Sequence, residues 1–532
     1  DFNAKLKSLG AFEHFKKSPV APAVSMNAKN IEDEASDYEI KLWFNPTDKT
    51  AYYYAEPEKV YLNEDSNRMF RDLSNSISLD VSSFDTSKVA NMEAMFAGMP
   101  SLTTLNLSNF DTSKVTRMNS MFEGVSRLTT LDLSNFDTSQ VTNMEAMFGY
   151  MYGLTSLSIS NFNTSQVTNM RDMFSNMRNL TSLNLSSFNT SKVTDMRAMF
   201  GYMYGLSSLN LSNFNTSQVT DMNSMFAGMS LTGLNLSNFD TSKVTDMGSM
   251  FYNMRNLTSL NLTNFNTSKV TDMGFMFYGM FNLTSLNLSS FDTSKVTNMR
   301  DMFSGMSSLT TLNLSNFNTS KVTDMSGMFD DMRNLASLNL TNFNTSKVTN
   351  MSGMFDGMRS LTSLNLSNFN TSKVTNMNYM FNDMYNLTSL NLSNFDTSNV
   401  TDMSQMFSGM YSLTSLNLSN FDTSKVTSMI FMFASMYNLT TLDLSNFDTS
   451  QVTDMGGMFT LADGDMSNDK LEKIYVNNDF NTTKLTNFTE MFKNRKKLRG
   501  GNGSYLTDPS TADKSWLRVD RPGVQGYFTR KP

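Results

Sequence analysis

The sequence predicts a repeat solenoid of the leucine-rich-repeat type. Three observations point to it: a fixed period, a recurring pair of leucines and a recurring stripe of methionines. The phenylalanine of the motif SNF, or of a close variant, recurs every 26 residues from Phe84 to Phe447, apart from one interval of 25 residues between Phe214 and Phe239. A fixed period of this size is typical of solenoids, because each repeat is one coil that stacks on its neighbours. We therefore expect about 16 coils, each with a short parallel β-strand and a short helical turn, and a β cap at both ends.

A single coil shows how these elements follow from the residues. Leu105 and Leu107 alternate with polar neighbours, which is the period of a β-strand. The segment DTSKVT that follows is rich in residues that form turns and cap helices. Met118, Met121 and Phe122 then recur with the spacing of one face of a short helix. Since one coil cannot bury this apolar face alone, the coils are expected to stack into a continuous core.

The flanks of the repeats predict small caps, which solenoids need in order to cover their terminal coils. Residues 1–37 have apolar residues at helical spacing, followed by a linker that contains prolines. Residues 38–68 include YEIKLWFNPTDKTAYYYA, which predicts a β-hairpin with NPTDK as its turn and an N-terminal β cap. The solenoid is expected over residues 69–493, and a C-terminal β cap over residues 494–532.

The composition excludes several classes of function. The 532 residues include no cysteine and a single histidine, His14. Thiol catalysis, a disulfide framework, a cysteine zinc site and a histidine-dependent triad are therefore not expected. A formal charge of -7 argues against general nucleic-acid binding. No apolar run reaches the roughly 18 residues of a membrane span, and no signal peptide is visible at Asp1, which indicates a mature fragment.

The two breaks in the regularity of the repeats do not predict an enzyme. One residue is missing after Met229, and the segment TLADGDMSNDK lengthens the interval before Phe480. A solenoid lyase needs converging acidic and basic groups, whereas the inserted Asp463, Asp465 and Asp469 have no visible basic partner. We therefore expect no enzymatic activity and no cofactor.

The coil motif LTSLNLTNFNTSKVTDMGFMF, which spans Leu257–Phe277, resembles the BspA-like leucine-rich-repeat surface proteins of Gram-positive bacteria, notably lactobacilli and mycoplasmas. The resemblance covers residues 69–492, and the tail after residue 497 also looks like the segment that follows such arrays in lactobacilli. It implies an extracellular, wall-attached protein that acts in adhesion to mucus, host cells or matrix. Two departures are visible. Methionine, or Val125, stands where many relatives have a cysteine, and no LPxTG-type anchor is present.

Two columns of residues beside the buried leucines are expected to point outward. The first is polar and includes Asn106 and Asn261, and it fits either a glycan platform or a merely soluble coat. The second varies most and is rich in residue types that anchor interfaces and stack on sugars. This arginine–tyrosine column consists of Tyr152, Arg178, Tyr204, Arg255, Phe281, Arg333, Arg359, Tyr385, Tyr411 and Tyr437. An equal alternative is that its rings only cover the apolar seam beneath them.

A third outward column is basic. The lysine column consists of Lys243, Lys269, Lys295, Lys321, Lys347 and Lys373, at one position on six successive coils. Acidic residues three positions later, such as Asp246 and Asp324, are expected to relieve part of the repulsion between the lysines. The column predicts a stripe for a polyanion, with a solvated face of local ion pairs as the alternative. The aspartates that follow each SNF phenylalanine, such as Asp111, fit turn caps better than calcium ligands.

These features and the resemblance together predict an adhesin on the surface of a Gram-positive bacterium. Its expected partners are host mucin, epithelial or matrix components, or anionic polysaccharide. We expect a monomeric array that binds no nucleic acid and no metal and inserts into no membrane. Protonation of carboxylates would leave the lysines uncompensated, which predicts tighter binding of anionic glycans at about pH 4 to 5 than at about pH 7. The alternative is a passive stalk that holds another domain away from the cell wall.

Overall fold

The computed structural model describes all residues from 1 to 532 and contains short strands, turns and one α-helix, α1 (Phe2–Ser8). The chain forms two compact units, Asp1–Phe265 and Asn266–Pro532. The first unit contains β1 (His14–Lys17), β2 (Lys29–Asn30), β3 (Lys41–Asn45), β4 (Thr50–Tyr54), β5 (Val60–Tyr61), β6 (Ser78–Leu79), β7 (Phe84–Asp85), β8 (Thr104–Leu105), β9 (Thr130–Asp132) and β10 (Ser156–Ser158). The second unit contains β11 (Thr441–Asp443), β12 (Lys473–Val476) and β13 (Phe528–Arg530). None of the helices has the length and apolar surface needed to cross a membrane.

A six-stranded sheet closes the start of the first unit, in the order β2-β3-β4-β1-β6-β8. Strands β3 and β4 form the predicted antiparallel hairpin, in which Asn45 pairs with Thr50. Strand β1 pairs in parallel with β4 and β6, so it joins the cap to the first repeats in a segment where the sequence indicated a helix and a linker, with docking as a cap as the alternative. Phe15 of β1 stacks on Tyr53 with ring centroids 5.3 Å apart, and contacts Phe70 edge-on at 5.1 Å. The limits of the four predicted domains stay predictions.

The predicted helical turn of each coil is wrong, and two tight turns take its place. Within one coil Met121 N donates to Met118 O at 3.2 Å, but Phe122 N donates to Met147 O of the next coil at 3.0 Å. A helix would need that second amide for itself. Ser120 also has a left-handed φ of 58°, which no helix accommodates. The methionine spacing misled the prediction because consecutive tight turns place residues three and four apart on one side, as a helix does.

The predicted leucine strand is present only near the ends of the array, in β6, β8, β9, β10, β11 and β12. Elsewhere the few backbone hydrogen bonds between neighbouring leucine segments are long, such as Thr388 N to Thr362 O at 3.4 Å. Regular parallel pairing lies instead two positions after each valine, where Asn143 pairs with both Arg117 and Asn169. The most regular pairing between coils therefore lies after each valine, and not at the alternating leucines as predicted.

Methionine and phenylalanine form the core of each unit in columns. Met121 and Phe122 are fully buried. The Phe122 ring stacks on the rings of Phe96 and Phe148, with centroids 5.8 and 5.9 Å apart. Because a fully buried side chain of this size contributes about 1.5 to 3 kcal/mol, the repeated motif supplies its stabilisation coil by coil.

Two columns of polar side chains tie neighbouring coils together. The threonine hydroxyl of each TS pair is buried: Thr345 Oγ1 donates to Asn370 O and accepts from Asn370 N, both at 2.8 Å. The asparagine of SNF bonds in the opposite direction, since Asn368 Nδ2 donates to Leu340 O and Phe343 O of the preceding coil at 2.9 and 2.6 Å. These bonds satisfy backbone groups that the stacking of coils removes from water. They explain why the motif changes so little along the chain.

A buried ion pair closes the end of the second unit. Arg495 stands where the preceding coils have a buried methionine such as Met436. Its side chain is 1% exposed and donates to Asp469 Oδ1 at 2.8 Å. It also donates to Phe459 O at 2.6 Å and to Phe433 O at 3.4 Å. Asp469 belongs to the inserted segment, so the insertion supplies the counter-charge that allows an arginine to end the methionine column.

Several side chains of one coil lie against the glycine at the same position of the next coil. In the first unit Tyr202 covers Gly228, where an added Cβ would lie 2.5 Å from Tyr202 Cδ1. The second unit repeats the arrangement with Asp301 over Gly327, Asp383 over Gly409 and Phe431 over Gly457. Each large side chain is therefore matched to the coil that follows it.

Candidate functional site

In the second unit the arginine–tyrosine column forms a row of stacked side chains. The rings of Tyr385 and Tyr411 stack with centroids 4.7 Å apart, and those of Tyr411 and Tyr437 with centroids 4.9 Å apart. The Arg359 guanidinium lies 4.7 Å from the centre of the Tyr385 ring. Arg333, on the coil before, is exposed and pairs with Asp331 at 2.5 Å between Nε and Oδ1. The structure therefore brings four of the predicted residues into direct contact, with Arg333 on the neighbouring coil.

In the first unit the same column has a different order. The Arg178 guanidinium lies 4.5 Å from the ring centre of Tyr152 and 5.8 Å from that of Tyr204. Tyr204 is 48% exposed, so this cluster is open to solvent. Arg255 is exposed near the end of the first unit, and Phe281 is half-buried in the second.

The stacking limits what the tyrosines offer to a ligand. Tyr411 has a tyrosine ring against each face, and Tyr385 has Arg359 on one side and Tyr411 on the other. The expectation that these rings stack on sugars therefore does not hold for Tyr385 and Tyr411. Their ring edges and hydroxyl groups, with the guanidinium groups at the other end of the row, are left for hydrogen bonding.

Half-buried aspartates lie beside the arginines of this row. Burial raises the pKa of Asp330 to about 8, and nearby aspartates add to the effect. Burial also raises the pKa of Asp356 to about 6, against the opposing effects of Asn382 and Arg359. Burial raises the pKa of Asp383 as well, again opposed by Arg359. Asp356, with a pKa of about 6, therefore lies next to Arg359.

The lysine column is exposed in both units. Lys243 Nζ donates to Gln218 Oε1 of the preceding coil at 2.7 Å, so an uncharged residue can serve as the partner. Lys243 thus contacts the neighbouring coil within the lysine column, whereas Arg178 and Arg359 contact tyrosines of the arginine–tyrosine column.

Carboxylates lie three positions before two of the lysines, Asp240 before Lys243 and Asp292 before Lys295. The hydroxyl and amide of Ser294 lower the pKa of Asp292, and the charge of Lys295 adds to the effect. Asp324, at the position where relief was expected, accepts instead from the amide and hydroxyl of Ser326 at 2.9 and 2.6 Å. The expected interaction of Lys321 with the following acidic residue is therefore wrong at this position. The Asp324 carboxylate instead accepts hydrogen bonds within the turn that follows it.

The polar column and the aspartates that follow each SNF phenylalanine both close turns. Asn261 Oδ1 accepts from Thr263 N at 3.0 Å, and Asp111 Oδ1 accepts from Ser113 N at 3.0 Å. Groups of three or more histidine, cysteine or acidic side chains placed to hold a metal ion do not occur. Sequence reasoning anticipated a turn at Asp111 but missed the one at Asn261, although a threonine two positions later was a visible signal.

The three inserted aspartates have separate neighbours. Asp469 pairs with Arg495, and Asp463 Oδ1 accepts from Asn494 Nδ2 at 2.8 Å. Asp465 lies near Tyr411, whose pKa rises to about 12 mainly through burial and partly through this charge. The basic partner was missed because Arg495 is 26 positions away from Asp469 in the chain.

Comparisons with known proteins place this repeat in a family. The family described as "Mycoplasma protein of unknown function, DUF285" matches residues 64–181, 150–259, 253–339, 323–416 and 410–516. The structure "Functional domain of InlJ from Listeria monocytogenes includes a cysteine ladder" is similar at 17% identity over 76% of this chain and 68% of that chain, with a TM-score of 0.37. No curated protein matches the sequence. The lactobacillus type of the resemblance stays a prediction. Five overlapping matches cover most of the sequence, and the chain belongs to the DUF285 family.

Proposed function

We propose that this chain is an extracellular adhesin of a Gram-positive cell surface that binds mucin glycans or another anionic polysaccharide. The observation that carries the proposal is the row Arg333, Arg359, Tyr385, Tyr411 and Tyr437 in the second unit. It combines cationic groups with tyrosine hydroxyls on successive coils. A linear polymer that carries repeated anionic and hydroxyl groups would meet several of these contacts at once, and weak contacts that act together give useful affinity.

The arginines are the better anchors of the two basic columns. A guanidinium group offers paired N–H donors to a carboxylate or sulfate, and it loses less hydration than an ammonium group. Arg359 is also held against Tyr385, so less side-chain freedom remains to be lost on binding. The lysine column would add a weaker contact that salt screens.

The proposed acid preference rests on the arginines rather than on the lysines. The pKa of Asp292 beside Lys295 is lowered, so that carboxylate keeps its charge at about pH 4.5. Asp356 behaves in the opposite way, because a pKa of about 6 means that it loses its charge between neutral pH and mild acid. Arg359 then has one competing anion fewer, and an anionic ligand should bind more tightly at about pH 4.5 than at about pH 7.

A glycan array probed with the purified protein at both pH values tests the proposal. The variant carries Arg333→Ser and Arg359→Ser, since serine already stands in this column at Ser307. The matched control is Arg300→Ser, an exposed arginine of the same unit that pairs with Asp301 outside the column. We expect the double variant to lose about tenfold or more in affinity for sulfated or sialylated glycans, and the control to bind as the parent does. Equal losses in both would contradict a role for the column.

The spacer remains the second candidate, and the hydrogen-bonded columns of threonine and asparagine favour it because they make the stack of coils rigid within each unit. A spacer needs no ligand. Failure of the folded protein to bind any glycan, mucin or matrix preparation at either pH would support it over the adhesin.

A further inference from the structure

The first and the last coil of the chain expose complementary edges. Inside each unit, amides of one coil donate to carbonyls of the next: Arg68 N donates to Glu93 O and Gly457 N donates to Thr489 O, both at 2.8 Å. The direction is the same at these positions of each coil, whereas the amide of a nearby threonine, such as Thr142 N, donates to the preceding coil. At these positions the first coil therefore presents carbonyl groups at its outer side, and the last coil presents amide groups.

The N-terminal edge is only partly capped. Asn3 Nδ2 of α1 donates to Met69 O at 3.4 Å and to Arg71 O at 2.9 Å, in the place of a preceding coil. The carbonyl groups of Asp65 and Asn67 accept no hydrogen bond from the protein. They lie on a cleft of about 1460 Å³ that is lined by α1, by residues 31–40 and by the first coil.

The C-terminal edge is open over the same stretch of the coil. Tyr527 covers Phe492, with ring centroids 4.6 Å apart, just as α1 covers the corresponding part of the first coil. The amide groups of Phe488 and Glu490 donate to no group in the protein. Phe488 is also half-exposed at a position where the preceding coil has the fully buried Met455. An apolar surface of this kind is what the next coil covers elsewhere in the array.

We propose that this surface binds a second copy of the chain end to end, with residues 486–490 of one copy in the cleft beside residues 64–68 of the other. The pairing rule inside the units fixes the register. Phe488 N would donate to Asp65 O, and Glu490 N would donate to Asn67 O. The side chain of Glu490 would then lie beside that of Arg68, about one strand spacing of 4.8 Å away.

Charge and backbone conformation both fit this register. Glu490 and Arg68 are exposed and opposite in charge. Both have a left-handed φ, of 53° and 56°, so the two edges have the same local shape. Two different surfaces meet in this contact, so the association is open-ended and gives chains of molecules rather than closed dimers. The caps leave only part of each edge free, and such a small contact should be weak. The sequence alone had predicted a monomeric array.

The test is sedimentation velocity of the intact chain from micromolar to millimolar concentration, with charge-reversed variants. Arg68→Glu places two carboxylates together at each junction, and Glu490→Arg places two guanidinium groups together, so each variant alone should stay monomeric. A mixture of the two restores opposite charges at the junctions between unlike copies and should recover association. Arg127→Glu is the control, because it changes the net charge as Arg68→Glu does, at an exposed site away from both ends.

The mixture separates end-to-end docking from a loss of folding or a general charge effect. Folding of each variant is checked by its thermal unfolding. A parent chain that stays monomeric throughout the concentration range would overturn the proposal. So would single variants that associate like the parent, or a mixture of folded variants that does not recover association.

Discussion

The two units build the same coil but fill its variable column, the arginine–tyrosine column, in different orders. In the first unit one arginine, Arg178, lies between two tyrosines. In the second, Arg359 lies at one end of the row and Tyr385, Tyr411 and Tyr437 stack on one another. The threonine and asparagine columns do not differ in this way between the units. The coil therefore accepts many side chains at the variable position, and very few at the positions that bond one coil to the next.

The closures of the two units differ as well. The first unit is closed by an aromatic cluster around Phe15 and Tyr53. The second is closed by the buried pair of Arg495 and Asp469. Truncation of one ring removes only part of the packing energy of an aromatic cluster. Removal of one partner of a buried ion pair costs more, because it leaves the other charge buried without compensation.

The largest effect is expected from Arg495→Met, which leaves the Asp469 carboxylate buried without its partner. We expect the second unit to lose about 3 to 5 kcal/mol of stability, as measured by hydrogen exchange of its core amides, with the first unit unchanged. The double variant Arg495→Met with Asp469→Leu should recover most of the loss, because methionine fills this position in other coils. A double variant as unstable as the single one would show that packing, not charge, closes this end.

A smaller loss is expected from removing one threonine hydroxyl in either unit. Thr345→Val would strip Asn370 N and Asn370 O of their shared partner, at a cost of about 2 to 3 kcal/mol. Thr138→Val in the first unit, where the hydroxyl bonds Asn163 at 2.8 and 2.9 Å, should cost the same. Denaturant unfolding measures both. Clearly unequal losses would mean that the columns are not equivalent in the two units.

The pH dependence of the second unit should be smaller still. Asp330 has a folded pKa of about 8, above its ordinary value of 3.8, so the fold favours its protonated form. Its contribution is complete below about pH 4 and is lost as the pH rises towards 8. Partial exposure should limit the loss to about 1 to 2 kcal/mol. Asp330→Asn, with an amide as at Asn382, should reduce the change in melting temperature of this unit between about pH 5 and pH 8, leaving the part that Asp356 contributes. A variant with the parent's pH profile would assign the effect to another group.

The smallest effect on stability is expected from the lysine column. Changing Lys295, Lys321 and Lys347 to glutamine copies the residue that other coils have at this position, such as Gln166 and Gln218. The free energy of unfolding should change by less than about 0.5 kcal/mol, since exposed charges contribute little. Binding to a sulfated glycan should weaken slightly and become less sensitive to salt. Unchanged salt sensitivity would remove this column from the binding surface.

The repeat period, the hairpin and the buried methionines and phenylalanines could be predicted from the sequence, because each depends on residues close together in the chain. The helical turn could not be told from two tight turns, since Met118, Met121 and Phe122 have the same spacing in both. The contacts that close the two ends could not be predicted for a different reason, which is their separation in the sequence. Asn3 bonds Arg71 across 68 positions, and Arg495 bonds Phe433 across 62. Periodicity carries no information about such single contacts, nor about the aspartates beside Arg359.

The matched pairs of a large side chain and a glycine bear on how such a gene can change. Nearly identical repeats invite unequal recombination, which adds or removes whole coils. Loss of the coil that contains Gly228 would place Asn253 beneath the ring of Tyr202, where only glycine fits. Loss of the coil that contains Gly327 would place Gly353 beneath Asp301 and preserve the fit. Length variants of this array should therefore arise by the second kind of exchange, so the glycines determine where the gene can recombine and still encode a folded chain.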